Sequence, residues 1–437
     1  METPAEHTAW LLNAYPRREQ LVNELHARPF VSASAPLRVS HLALLAGEGD
    51  GERHRQHLAA LCERMGAPPP GPQAQHHRAE IGNVVLRWEQ HTEFATYTVL
   101  RRGEFREPFE SSALAEVPLD WLRNLPGQLL VALHLAMLSA DAGELSTERL
   151  TSLFGTHRHM GATVEEGAAT VWTDFRLQGD GFVRLLVQDH GLIPQQGGRL
   201  LRRLLELETY RTLALLAFPV ALEARARLRE LEGQLTDITR RIPELREQTA
   251  EQALLAELTG LSTATARLLE GTSYRFAAAR AYHRLVSQRV AELRETRLPG
   301  VQTIGEFMAR RLDPAMASCA SVSGRMESLV GRINHATGLL RTVVDVGLQG
   351  QNRDLLRAIN RRARLQIQLQ QLVEGLSVLA FSHYALVLLG FLLGGLRSLG
   401  LAVNLDLVLG LGVLVVVPLS WWSIRRLKRR VLMPPGE

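Results

Sequence analysis

The chain has 437 residues, 46% hydrophobic and 22% charged, which excludes wholesale disorder and leaves room for a sizeable core. Two cysteines, Cys62 and Cys319, exclude a disulfide scaffold and a CxxC zinc site. The net charge of +5 is unevenly placed: from Arg357 onward there are 10 basic and 3 acidic residues, a balance of +7, against 40 and 42 before it, a balance of −2. An acidic soluble part does not track phosphates, so nucleic acid is not an expected partner.

In chain order, residues 1–193 read as an α/β domain with a mostly antiparallel sheet. Strand patterns cover Leu37–Leu45, Asn83–Glu89, Glu93–Arg101 and Gln128–Leu138. Ala168–Leu177 and Phe182–Gln188 flank Gln178-Gly179-Asp180-Gly181, a hairpin signal. Gly51–Met65 and Glu144–Phe154 suit helices, for about six strands and two or three helices in all. Residues 194–298 read as a helical hairpin region: Gln195–Ile238 with a kink at Pro219, then Glu244–Leu258 and Thr263–Thr296. Leu298-Pro299-Gly300 is a break, Thr303–Arg311 opens a helix, and Asp313-Pro314 reads as the start of a fresh one.

Residues 299–374 read as a stalk. No proline occurs from Ala315 to Leu396. A line at seven-residue spacing runs through Gly324, Gly331, Gly338, Asp345, Asn352, Ile359, Gln366 and Val373. Three glycines in that register put bare backbone on one helix face, a cost that a close helix approach would offset. Met326, Leu329, Val330, Ile333, Leu340 and Val344 form an apolar stripe beside it. The plainer reading is an amphipathic helix within one subunit. The sharper reading is a stalk that packs with copies of itself around a symmetry axis.

Residues 375–424 hold two uncharged apolar runs, 375–396 and 407–424, that at 1.5 Å per residue span ~33 and ~27 Å, against ~30 Å for a bilayer core. The ten residues between them make this a tight transmembrane hairpin in contact with membrane lipid. Arg361, Arg362 and Arg364 precede it; Arg425, Arg426, Lys428, Arg429 and Arg430 open a basic tail, 425–437. The positive-inside rule therefore places both ends in the cytoplasm, a two-pass arrangement, and METPAEHTAW lacks the pattern of a signal peptide. The expected fold class is an α+β cytoplasmic domain, then a long helical hairpin and stalk helices, then a two-helix C-terminal transmembrane hairpin.

Little in the sequence points to catalysis. No GxxxxGK[ST], HExxH or GxSxG occurs. The pairs His54/His57, His76/His77 and His157/His159 lack a third ligand and read as solvated surface residues. Glu24, His26 and Arg28, ahead of Pro29, could share one face of an extended segment and hold an anion or orient a proton-transfer histidine. The favoured reading is an ion-pair network that docks the N-terminal segment. No enzyme activity, cofactor or metal is expected.

ELHARPF at 24–30 resembles a signature of a bacterial family of uncharacterised membrane-anchored proteins. Residues 302–316 and the run Leu365–Val378 resemble it further. The resemblance implies a bacterial inner-membrane location and no established activity. More distantly, the architecture is similar to the CorA/ZntB divalent-cation transporter superfamily, which implies a homo-oligomer, five copies in that superfamily, with the first span lining a pore for a cation. The superfamily's Gly-Met-Asn is absent; Gly394-Gly395-Leu396-Arg397 stands at that place, and Asp406 is the one loop acid.

Two functions compete. The first is a membrane-anchored scaffold or sensor of an unknown ligand. The alternative is a cation channel or transporter, with Glu374, Ser377, Phe381, Tyr384, Leu388 and Phe391 lining the pore and Asp345 and Asn352 continuing the line into the stalk.

Overall fold

The computed structural model describes residues 15–18, 22, 32–47, 49–143, 145–155, 158–244, 248–398 and 405–431. Its elements are β1 (Leu37–Leu45), α1 (Asp50–Arg64), β2 (His76–Ile81), β3 (Val84–Gln90), β4 (Phe94–Arg102), α2 (Leu119–Arg123), β5 (Gln128–Leu138), α3 (Thr147–Phe154), β6 (Met160–Val164), β7 (Ala169–Leu177), β8 (Val183–Asp189), α4 (Pro194–Leu215), α5 (Ala217–Arg241), α6 (Gln248–Leu293), β9 (Thr296–Arg297), α7 (Ile304–Ser398) and α8 (Leu405–Val431). The α+β domain, the long helices and the apolar C-terminal helix pair are the expected fold class. The chain divides into two units, residues 1–244 with 252–336, and residues 245–251 with 337–437.

The first unit is built on one nine-stranded sheet, order β2-β3-β4-β1-β5-β8-β7-β6-β9. Every neighbouring pair is antiparallel except β5–β8. Strand alternation sends Leu42 and Leu44 to a core with Leu58 and Leu61 of α1 and Trp121 of α2, while Ala43 meets Leu213 of α4 on the other face. α3 shares the α1 face, with Leu150, Leu153 and Phe154 against Ala136, Trp172 and Leu186. The sheet is thus covered on both sides, as its continuously buried central strands require.

Three strands exceed the six read from sequence. β2 pairs with β3 at the edge and buries only Ala79 and Ile81. β6 is short, and β9 contributes two residues from beyond α6. The histidine pairs need correction. His54 is fully buried, its Nδ1 3.0 Å from the Tyr97 hydroxyl, and His57 stacks on Trp121 at 4.7 Å. Both sit on the face of α1 turned to the sheet, so packing claims them rather than solvent. His76 and His77 lie on β2, and His157 lies outside the described residues.

The helices begin where Asp189 and Pro194 turn the chain from β8 into α4. α4 ends at Leu215, four residues before Pro219, because proline has no N–H to donate to that carbonyl and its ring crowds it. α4 and α6 are joined by charge: Arg289 Nε donates to Glu206 at 2.5 Å, and Arg203 Nε donates to Glu292 at 3.2 Å. α5 and the start of α7 meet where Arg325 donates to Glu232 at 2.6 Å.

Two expected breaks are absent. α6 is one helix through Gly260, because Leu254, Leu258 and Leu261 keep one stripe buried and outweigh the ~1 kcal/mol that glycine costs. Asp313-Pro314 lies inside α7, not at its start. Pro314 and Arg310 are on the exposed face, so the freed Arg310 carbonyl is open to water, while Leu312, Met316 and Cys319 stay buried. The helix starts instead at Thr303, which accepts from Glu306 N at 3.1 Å while Glu306 accepts from Thr303 N at 3.2 Å. Half-buried Glu295 adds acceptors for Ile304 N and Gly305 N at 2.9 and 2.8 Å; desolvation pushes its carboxyl up.

Within α7, Met326, Leu329, Ile333 and Leu340 are buried as expected, with Val330 and Val344 half-buried. Gly324, Gly331 and Gly338 do not mark a close approach within the chain: a Cβ on any of them would meet nothing within 4 Å. In the second unit, from Thr337 on, α7 and α8 pair. A Cβ on Gly412 would lie 3.3 Å from Leu386 and Leu389, and one on Gly390 3.8 Å from Leu409. Val378 and Ser382 are buried on the α7 face that also carries Leu386 and Leu389.

Candidate functional site

The first unit holds a cleft of about 750 Å³ on the α1–α3 face of the sheet, next to the parallel β5–β8 junction. Leu42 and Leu44 form part of its floor, Leu114, Leu119 and Leu122 one wall, and Phe109 and Phe182 another. Its size and largely apolar lining with a few polar groups are those of a small-molecule site.

The polar groups are set by strand register. Ser40 and His134 are direct partners across β1 and β5, and Ser40 Oγ lies 2.9 Å from His134 Nδ1. Phe182, entering β8, stacks flat on the imidazole, centroids 3.9 Å apart and planes 4° apart. The β7–β8 turn is closed by Gly181 N–H to Gln178 O and by Gln178 N–H to Phe182 O, both 2.9 Å, with Gly181 at φ +83°. That turn delivers Asp180, which accepts Phe182 N–H at 2.9 Å and Arg184 at 3.4 Å. Arg184 also lies over the Phe109 ring at 5.0 Å. Glu110, Ser112 and Arg123 complete the polar lining. At the lip, Gly127 has φ +87°, and a Cβ there would run into the Leu45 carbonyl, so glycine alone lets the chain enter β5.

Burial holds the His134 imidazole down to about 4, against the opposing pull of Asp180. It is therefore neutral near pH 7. Ser40 itself is fully buried, so its hydroxyl has no line of attack on a ligand, and an imidazole held near 4 is a weak base. Chemically the cleft is fitted to bind: it offers apolar surface, a neutral imidazole and a slight excess of acid. The described residues contain no group of three metal-ligating side chains.

The sequence singled out other residues. Glu24, His26, Arg28 and Pro29 lie outside the described residues. Phe381, Tyr384, Leu388 and Phe391 fall on one face of α7, exposed and turned away from the buried Val378–Ser382 face. Glu374 is half-buried above them, and Ser377 Oγ is bonded back to Val373 O at 2.8 Å. Asp345 and Asn352 are exposed on α7, as are Arg361, Arg362 and Arg364. Arg425 lies over Trp421 at 4.5 Å and Arg426 over Trp422 at 4.8 Å, cation–π pairs at the end of the second apolar run. Lys428, Arg429 and Arg430 continue α8; their side chains lie outside the described residues. His134 and Ser40 were missed because each is one polar residue inside an apolar strand, and no pattern couples positions 94 residues apart. The turn at 178–181 was visible as a turn; that it aims Asp180 into a cleft was not.

Among the described residues two helices are long and apolar enough to cross a membrane, in α7 and α8, and their apolar windows are 11% and 0% buried. A soluble core helix would be covered; these are bare. With them the chain is an α+β protein that carries two apolar helices long enough to cross a membrane. A family model described as "Protein of unknown function (DUF3422)" matches residues 13–431, and the chain belongs to that family. No curated protein matches it.

Proposed function

We propose that this protein is a membrane-anchored sensor. Its α+β domain binds a small, largely apolar ligand in the His134–Asp180 cleft. The α7–α8 hairpin tethers that domain to the inner face of a bacterial inner membrane with both termini cytoplasmic. The observation that carries the reading is the cleft itself: preformed, about 750 Å³, with a neutral imidazole and Asp180 at one end of an apolar surface. Acid outweighs base among its lining residues, which favours a ligand carrying an amine or another hydrogen-bond donor. The test is melting of the full-length protein with aryl-alkyl amines and with matched carboxylates. Amines raise the melting temperature and Asp180→Asn abolishes the rise. Equal shifts from both series, or no shift from either, would refute the reading.

Cation passage is the second reading. It is favoured by one observation: Phe381, Tyr384, Leu388 and Phe391 face away from α8, where other copies could meet them. Flux of mono- and divalent cations in proteoliposomes, compared with Glu374→Lys, decides it.

A further inference from the structure

The stretch of α7 from Val343 to Glu374 lies wholly in the second unit, and none of its residues is buried. At 100° per residue most of its apolar side chains gather on one side, Val346 and Ile367 lying outside that arc. Leu355, Leu356, Ile359, Leu365, Leu369 and Leu372, each between 53% and 66% exposed, occupy an arc of about 200°. Arg353, Arg357, Arg361 and Arg364 fall together on the opposite side. Written as heptads, the a positions are Asp345, Asn352, Ile359, Gln366 and Val373, and the d positions Leu348, Leu355, Arg362, Leu369 and Leu376. An apolar face this regular and this bare is unfinished in a single chain.

We infer that this face is the seat of further copies of the same chain, which pack here as a parallel, in-register coiled coil of three or more helices. Three observations select that occupant. First, α7 continues without interruption from this stretch into its apolar span, so copies held in one membrane present the same heptads at the same height and in the same direction. A soluble partner has no such register imposed on it. Second, a two-stranded coil covers the a and d positions alone, whereas an arc of about 200° meets two neighbours per helix, which requires a ring of at least three. Third, Asp345, Asn352 and Gln366 at a, and Arg362 at d, interrupt the apolar seam. Polar groups at core positions weaken a coil but fix its register, and in a parallel assembly each meets its own copy. Arg353, Arg357, Arg361 and Arg364 then point outward, while Arg362 stays at the seam. A helix lying flat on a lipid surface would also use an apolar and an arginine face, but one continuous with a membrane span does not lie flat. The choice of a further copy over a soluble partner, the parallel direction and the exclusion of a flat-lying helix rest on the anchored reading above.

The test uses the full-length protein in detergent and in native membranes. Asn352→Cys should form a disulfide-linked two-chain species on mild oxidation, about tenfold faster than Arg357→Cys, because a disulfide needs Cα atoms within about 7 Å. The parent's native mass should be a multiple of three or more chains. Leu355→Glu with Ile359→Glu should yield single chains with unchanged helix content and unchanged melting of the α+β domain. A parent mass of one or two chains overturns the proposal, as do equal crosslinking rates at 352 and 357. A single chain whose residues 345–376 gain protease protection only on anionic vesicles also overturns it and assigns the face to lipid. Failure of the anchoring reading shows separately, as protein in the supernatant after sedimentation of lysed cells, and leaves the mass measurement valid.

Discussion

His41 offers a sharp test of the sheet-to-helix packing. It is buried between β4 and α4, with Nδ1 2.8 Å from Thr98 Oγ1 and Nε2 3.1 Å from Thr209 Oγ1. Burial lowers its pKa to about 4; Glu89 pulls the other way and His91 and Arg87 add to the lowering. The unfolded chain binds a proton near 6.5, the folded chain only near 4. Between those values the unfolded state holds more protons, so stability falls as pH falls. The stability is fully present above the unfolded pKa and lost on the way down to the folded one. The loss from this one group reaches about 2 kcal/mol at pH 5 and about 3 kcal/mol below pH 4. That is a large share of the roughly 5–15 kcal/mol of a typical domain. The assay is denaturant unfolding of the full-length protein at pH 7 and pH 5, parent against His41→Gln. The variant is less stable at pH 7, having lost a bridging ring, but its further loss on acidification is smaller by about 2 kcal/mol. If parent and variant lose the same amount, His41 is not held neutral and the argument is wrong.

Removing residues 375–437 should move the protein from the membrane pellet to the supernatant, read by sedimentation of lysed cells. Gly127→Ala should destabilise by about 2 kcal/mol or more in denaturant melts, because it combines a positive φ with a clash against the Leu45 carbonyl. Gly412→Leu should separate α7 from α8, read as faster amide exchange around Leu386 and Leu389, whereas Gly394→Leu, with nothing within 4 Å of its Cβ position, should not. Glu295→Gln should cost about 1–3 kcal/mol of melting stability, since the carboxylate is the acceptor for two N–H groups at the start of α7.

Most of the sheet was legible because its central strands obey a local rule. β1, β5, β7 and β8 are apolar or alternating runs bounded by turn residues, and the β7–β8 hairpin announces itself by glycine and aspartate. What escaped depends on partners distant in sequence. β2 is a strand because β3 pairs with it, although His76, Arg78 and Glu80 look like loop. β9 is two residues that join β6 from more than 130 positions away. Pro314 was misread because a local signal for a helix start was outweighed by buried side chains on both sides of it. The apolar hairpin was read from composition alone. The cleft was not legible, since it exists only where the β1–β5 register, the 178–182 turn and the 109–125 segment come together.

On the sensor reading proposed above, the β5–β8 junction has a consequence for signalling. It is the single place where two zigzag ribbons, one drawn from residues 37–138 and the other from 160–189 with its rim at 296–297, are zipped side by side. The cleft straddles that zip, taking Leu42, Leu44 and His134 from one ribbon and Asp180 and Phe182 from the other. Anything lodged there acts as a clasp across the two, and its departure loosens a joint that belongs to neither.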